Sequence, residues 1–248
     1  MLSIIIPAHN LADMTRECID AIKENTGNYE YEIILVDNGS DEAMHSLGAD
    51  KVIRLEKNFG FPKAVNIGLK IAEGETLCIT NNDVVVTPHW DDKLLYYLGD
   101  YDIVGPCTNE VLGRQKQHVP IYGNKKELYG SADQFYRQNL AKKAIEVNWL
   151  IGFCWIMKRE VYAKVGDFDE IFGTGNSEDI DYCYRAKKAG FKMAIAPHVF
   201  VHHYGGMTHD LLGISNKEYG KLLMENSQKL REKYTKEEMN EFSIQCKG

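Results

Sequence analysis

Four short polar segments carry the side chains best able to do chemistry. Asn81-Asn82-Asp83 follows an apolar run. An acidic turn there can place a carboxylate where a divalent cation bridges two phosphates, because magnesium and manganese favour oxygen ligands and keep substrate phosphate in their shell. Asp37-Asn38-Gly39-Ser40 offers a carboxylate that can accept a hydrogen bond from a base or ribose while the glycine turns the chain. Glu178, Asp179 and Asp181 put three acids within four positions, and Asp181 with Arg185 has the i, i+4 spacing of a helical ion pair. That pair would anchor a helix whose first turn points Glu178 and Asp179 into a cleft, where a carboxylate could take the proton of an attacking hydroxyl. His202 and His203 precede two glycines; adjacent strand side chains point opposite ways, so at most one faces a site, and His203 is our choice. Alone, each segment also reads as something ordinary: an Asn/Asp turn, a capped turn, an acid-rich helix start, a core or surface histidine.

The elements that must position these groups follow from periodicity. Apolar runs at 2–6, 32–36, 51–55, 76–80 and 101–104 have the length and β-branched content of strands buried on both faces. Between them lie helical patterns: Leu11, Met14, Cys18 and Ile22, then Val65, Gly68, Ile71 and Ala72 behind Pro62 in a first turn. This alternation predicts right-handed βαβ units in a doubly wound α/β sheet, whose ligands gather at the carboxyl ends of the strands. Pro7-Ala8-His9-Asn10, Asp37–Ser40, Lys57–Gly60 and Asn81–Asp83 all stand at such ends. Farther on, 105–145 reads as an elaborated loop region with one helix, 149–157 as a buried strand beside a pocket, and 192–203 as two strands broken at Pro197. A helix is expected to start near Ser177, and the tail places Tyr219, Leu222, Leu223, Leu230 and Tyr234 near one helical face. One domain over 1–215, with halves at 1–105 and 106–215, and a helical C-terminal appendage at 216–248 is the simplest division.

Composition narrows the function. The 248 residues can bury a sizeable core, and a net charge of −7 without a basic run argues against a nucleic-acid partner. MLSIIIPAHN lacks a basic region and cleavage site, and no apolar run approaches the roughly 18 residues of a membrane helix. The six cysteines are scattered without a Cys-x-x-Cys pair and read as reduced core residues. A cytoplasmic setting is therefore expected, with peripheral association at the inner face of a membrane left open, and Asn38-Gly39-Ser40 as a sequon by coincidence. The phosphate loop of kinases, the glycine fingerprint of dinucleotide enzymes and the serine elbow of hydrolases are all missing.

In this order the segments resemble glycosyltransferase family 2, inverting enzymes with the GT-A fold, and in particular its bacterial rhamnosyltransferase-like branch. The resemblance is carried by Ile4-Ile5-Ile6-Pro7-x-x-Asn10, Val36-Asp37-Asn38-Gly39-Ser40, Asn58-Phe59-Gly60-Phe61 with Asn66-x-Gly68, and Asn81-Asn82-Asp83-Val84. Downstream stand Gly152-Phe153-Cys154, Glu178-Asp179-x-Asp181-x-x-x-Arg185 and His203-x-x-Gly206-x-Thr208. It implies that Pro7, Ala8 and Asn10 lie near the donor nucleotide and that Asp37 binds its base or ribose. Asn58, Phe59, Gly60 and Asn66 would line the diphosphate and sugar region, and Asn81 and Asn82 would contact ribose or donor sugar. Asp83 and His203 would hold Mn²⁺ or Mg²⁺, Gly152, Phe153 and Cys154 would border the acceptor, and Asp179 would be the base with Glu178 beside it.

The implied activity is transfer of a sugar from a UDP- or dTDP-sugar to a glycan, lipid-linked or protein hydroxyl. Asn81 departs from the usual Asp-x-Asp and brings no negative charge, so the cation is expected to depend on donor phosphates. A sugar nucleotidyltransferase would carry a glycine-rich basic signature where Pro7–Asn10 stands. A non-catalytic nucleotide-sugar or glycan-binding protein is made conceivable by Asn81, against the intact Glu178-Asp179 and His203.

Overall fold

A computed structural model describes residues 1–27, 29–111, 113–119, 122–205 and 215–243. The first apolar runs form β1 (Leu2–Ala8), β2 (Tyr31–Asp37), β3 (Lys51–Arg54) and β4 (Thr76–Thr80). They are joined by α1 (Ala12–Asn25) and α2 (Phe61–Ile71) and pair in parallel in the order β3-β2-β1-β4. Ile4, Ile5, Ile6 and Ile33–Val36 have no exposed surface, as strands covered on both faces require. α2 lies close on this sheet because Gly68 has no side chain: a Cβ there would stand 2.4 Å from Ile5 Cγ2. β3, expected to be buried on both faces, is an edge strand and only half-buried, since no further strand covers it.

The sheet continues as β8-β6-β9-β7, so it is mixed but mainly parallel. β8 (Cys154–Lys158) runs antiparallel to both β4 and β6 (Ile103–Cys107), whereas β6 and β9 (Met193–Phe200) are parallel. β7 (Ile145–Val147) closes the edge antiparallel to β9. β5 (Val84–Val85) and β10 (His202–His203) make a separate two-stranded ribbon. α3 (Trp90–Tyr97) and α4 (Lys125–Asn139) both pack on β9, while α5 (Arg159–Val165) and α6 (Glu178–Lys188) pack together beyond β8.

Three expectations are corrected. The run 149–157 is strand only from Cys154, because the Ile151 and Gly152 amides donate to Gln115 and Asp179 side chains instead of a ladder. β9 runs through Pro197 unbroken: β7 stops pairing at Ile195, and on the other side the register with β6 shifts between Pro106 and Cys107. In α7 (Asn216–Lys233) Leu223 is exposed, and the inward positions are Asn226 and Leu230. Among the described residues no helix is long and apolar enough to cross a membrane. Cys18, Cys78, Cys107, Cys154 and Cys183 are free and buried, while Cys246, Gly206 and Thr208 lie outside the described residues.

Candidate active site

The parallel half of the sheet brings three of the polar turns together, and Asn38 ties them. Its backbone N–H donates to the Ala8 carbonyl at 2.7 Å, closing β2 onto β1. Its side-chain amide donates to Asn58 Oδ1 at 2.9 Å and the Gly60 carbonyl at 3.1 Å, and its Oδ1 accepts from the Phe59 N–H at 2.9 Å. Beside it, Asp37 is 1% exposed; one carboxylate oxygen accepts from Ser40 N–H and the other from Arg54 at 2.8 Å. Asn10 and Leu11 both sit at positive φ, and Asn10 clasps the facing turn through Ser40 Oγ and the Asp41 N–H. Glu42 accepts from the Leu11 and Ala12 amides, so the positive end of α1 already has its anion. Phe59 stands exposed at the lip with Lys57 Nζ 5.1 Å from its ring centre.

The turn after β4 holds two buried acceptors without a completed hydrogen bond, Asn81 Oδ1 and Asp83 Oδ1. Asn82 differs: its amide donates to Thr15 on α1. His203 Nε2 lies 3.3 Å from Asp83 Oδ1, and its Nδ1 lies 2.8 Å from the Glu110 carbonyl, an acceptor, so Nδ1 carries the proton. Nε2 thus presents either a lone pair or a second proton to the carboxylate. Burial pushes the His203 pKa down, but Asp83 and the Glu110 carbonyl outweigh it and leave it above the ordinary value. A histidine fixed through one nitrogen by a backbone carbonyl, with the other nitrogen facing a bare carboxylate oxygen, has the chemistry of half a cation site. Among the described residues no third His, Cys, Asp or Glu joins it. His202 points away, to Tyr122 and Asn109, and burial followed by His203 lowers its pKa to about 4.

Asp179 stands in the first turn of α6. Its oxygens accept from the Gly152 N–H at 3.0 Å and the Ile180 N–H at 2.8 Å, which fixes the carboxylate while burial raises its pKa. Glu178 is 6% exposed with Oε2 unpartnered; burial first, then the neighbouring Asp179 charge, pushes its pKa up to about 8. Within the pair, Glu178 holds its proton to the higher pH and Asp179 is the one whose charge it feels. Gly152 touches Asp179, while the next residue, Phe153, stacks on His203 with centroids 5.3 Å apart and its carbonyl accepts from Asn81 N–H. The acid pair and the Asp83–His203 pair therefore flank one short segment. Gly60 closes the third side: a Cβ on it would lie 1.9 Å from the Gly173 carbonyl.

The loop before α6 is held from the C-terminal helices. Asn226, with no exposed surface, places Nδ2 within 2.9, 2.7 and 2.9 Å of the Phe172, Gly175 and Asn176 carbonyls. Tyr219 donates to Asn176 Oδ1, and Lys233 and Tyr234 each reach Asp181 Oδ1 at 2.6 Å. Arg185 pairs with Asp181 Oδ2 at 2.8 Å, as its spacing predicts. The 216–248 segment expected as an appendage is, in α7 and α8 (Lys236–Ser243), bonded to the acid-bearing loop and to α6.

Of the residues singled out in the sequence, Asn10, Asp37, Asn58, Phe59 and Gly60 gather about the Asn38–Asp41 turn, and Asn81, Asp83, Gly152, Asp179 and His203 about the Gly152–Phe153 segment with Glu178 beside Asp179; the space between the two groups is the candidate cleft. Pro7 and Ala8 are buried within β1 and contribute backbone. Asn66 does not line the cleft: it is fully buried, and its amide exchanges two bonds with the Phe168 backbone at 2.9 and 2.7 Å. Phe153 and Cys154, at 1% and 0% exposure, cannot border an acceptor through their side chains; only Gly152 of that trio reaches the surface. Sequence reasoning missed Asn38 as the tie, Arg54, and Asn226. Arg54 ends β3 in register with Asp37 at the end of β2, so its place at the close of the next apolar run carries a readable signal; a single asparagine in a charged helix carries none.

Comparison with known proteins bears on the family and the fold. The family model of glycosyl transferase family 2 matches residues 3–166. The O-antigen biosynthesis protein RfbC of Myxococcus xanthus is 28% identical over 224 residues, covering 82% of this chain and 17% of that protein. The O-antigen chain rhamnosyltransferase RfbN of Salmonella typhimurium is 21% identical over 209 residues, covering 82% of this chain and 66% of the relative. The crystal structure of GalNAc-T7 with UDP, GalNAc and Mn²⁺ superposes with a TM-score of 0.70 at 17% identity, over 98% of this chain and 50% of that one. The chain thus spans between 17% and 66% of the length of such curated relatives. The mixed sheet is that of the GT-A fold, and the chain belongs to glycosyl transferase family 2.

Proposed function

We propose that the chain transfers a sugar, with inversion, from a nucleotide diphosphate sugar to a hydroxyl of a glycan, lipid-linked or protein acceptor. UDP and dTDP donors are favoured, and the setting is cytoplasmic, with peripheral contact at the inner membrane face left open. The observation that carries this reading is the pairing of two chemistries across one segment: a bare Asp83 Oδ1 facing His203 Nε2 at 3.3 Å, and Asp179 held by Gly152 next door. Asp83 and His203, with Asn81 Oδ1 in the same turn, suit a divalent cation, Mn²⁺ or Mg²⁺, completed by donor phosphates. When bound, such a cation supplies positive charge against the departing diphosphate.

The chain's own groups do the rest. Asp179 takes the acceptor proton as the acceptor oxygen bonds to the anomeric carbon and the bond to the nucleotide diphosphate breaks on the opposite face. Its raised pKa brings it nearer the operating pH, where a general base works best, and Glu178, holding its proton, adds no competing charge. Asn38 holds Asn58 and Gly60 against the strand ends, which supports a donor side set in place before the donor arrives.

The test is turnover of UDP- and dTDP-sugars with manganese, read as nucleotide release. Asp179→Asn should lower release by about 10²–10⁴-fold while UDP affinity by calorimetry stays within twofold. Undiminished turnover would remove Asp179 from the role of base. UDP affinity that is equal with and without manganese would remove the cation, and UDP binding with no release for any donor would leave a binding protein.

A further inference from the structure

Apart from this site, α3, α4 and β9 line an open cavity of about 530 Å³. That size falls within the roughly 300–1,000 Å³ of small-molecule sites. Four tyrosines line it: Tyr96, Tyr97, Tyr101 and Tyr136. Tyr96 stands 74% exposed at the rim. A solvent-facing aromatic is a poor core residue and a good platform, since its ring face receives C–H groups while its hydroxyl stays in water.

Charge singles the cavity out further. The chain is acidic overall, at −7. Yet Lys93, Lys142 and Lys143 converge here against one acid, Asp100, and among the described residues none of the three makes an ion pair. Lys93 Nζ lies 5.3 Å from the Tyr136 ring centre instead. At the floor, His198 is 7% exposed, stands between Tyr97 and Tyr136 at 5.4 and 5.7 Å, and its Nδ1 has no hydrogen-bond partner. Burial of a polar ring without a partner costs stability unless something completes it. The transfer cleft uses none of these groups.

We propose that this cavity binds an anionic saccharide, with sugar rings on the tyrosines and its carboxylates or phosphates on the lysines. The saccharide identity rests on the proposed sugar transfer; the anion-over-aromatic chemistry stands on the cavity alone. Position suits a growing chain. His198 on β9 lies five residues before His203 on β10, a span of at most about 15 Å at strand rise. That is within reach of an oligosaccharide that also enters the cleft.

Calorimetry with a galacturonic acid hexamer tests this, with neutral maltohexaose and inorganic phosphate in parallel. The hexamer should bind the wild-type chain, at least tenfold more tightly than maltohexaose. Tyr96→Ala, and Lys142→Glu with Lys143→Glu, change exposed side chains and should each weaken hexamer binding at least tenfold while UDP affinity holds. Failure of the hexamer to bind at millimolar concentration, or equal affinity in both variants, overturns the proposal. Phosphate binding as tightly as the hexamer overturns its saccharide part, and maltohexaose doing so overturns its anionic part. Because binding is read without turnover, the hexamer result stands whether or not any donor sugar is transferred.

Discussion

Asn226 offers the sharpest test of how the acid pair is placed. Its amide nitrogen has two protons and three carbonyls within 2.9 Å, so Asn226→Ala removes at least two bonds and strands the buried Gly175 oxygen, while the Phe172 carbonyl keeps the Gly175 N–H at 3.3 Å and half-buried Asn176 can turn to water. A lost neutral bond at about 1 kcal/mol net and one stranded carbonyl at about 1–3 kcal/mol together make an expected loss of about 2–4 kcal/mol. For a chain of this size that lowers Tm by roughly 5–15 °C. The effect should reach chemistry as well. Asn176 and Ser177 sit at φ of 72° and 86°, a conformation that costs a non-glycine residue about 1–3 kcal/mol and persists only where the surroundings impose it. Freed of the amide, the loop relaxes and carries Glu178 and Asp179 with it. Turnover of the proposed transfer, measured well below Tm, should fall at least tenfold with little change in donor KM. Asn226→Asp, which puts an acceptor before three acceptors, should be at least as damaging. Wild-type Tm and kcat in both variants would refute the reasoning; a lowered Tm with unchanged kcat would show that the loop holds its shape without Asn226.

Gly60→Ala drives a methyl into the Gly173 carbonyl at φ +91° and should cost about 2–5 kcal/mol, whereas Gly173→Ala, at φ +61° with open space around it, should cost about 1–2 kcal/mol. Thermal melts that rank the two equally would count against the loop contact. Glu178 binds its proton up to about pH 8 when folded and, near the ordinary glutamate value of 4.5, releases it when unfolded. Its contribution is therefore complete below about 4.5 and lost as pH rises through about 8. Urea midpoints should fall between pH 5 and 8 more steeply in the wild type than in Glu178→Gln, and parallel slopes would contradict the burial argument. Asp83→Asn should erase most of any manganese enhancement of UDP affinity while the metal-free affinity stays; an enhancement equal to wild type would take Asp83 out of the ligand set.

Much of the fold is legible in the sequence because strands covered on both faces write continuous β-branched runs such as Ile4–Ile6 and Ile33–Val36. The cleft is legible for a related reason: Asn10, Asp37 and Asp83 are polar groups directly after those runs, where a parallel sheet opens. What escapes depends on partners distant in the chain. Nothing local shows that Asn66 will meet Phe168, or that Asn226, amid lysines and glutamates, will be fully buried. Phe153 and Cys154 share the apolar run of a strand, but their burial follows from β8 inserting antiparallel between β4 and β6. Pro197 looks like a strand breaker because its missing N–H is visible and the neighbouring strand's early end is not.

The latch from α7 also sets an order of assembly during synthesis. The chain emerges amino end first, at about 5–20 residues per second, so the turn bearing Asp83 precedes Asn226 by roughly 7–30 seconds. Through that interval β1, β2, β3 and β4 already have one another to pair with, while the loop before Asp179 lacks its clasp. A nascent chain can thus complete the donor-side strands well before it can hold a base in place, and the proposed transfer would begin only once the last long helix has docked.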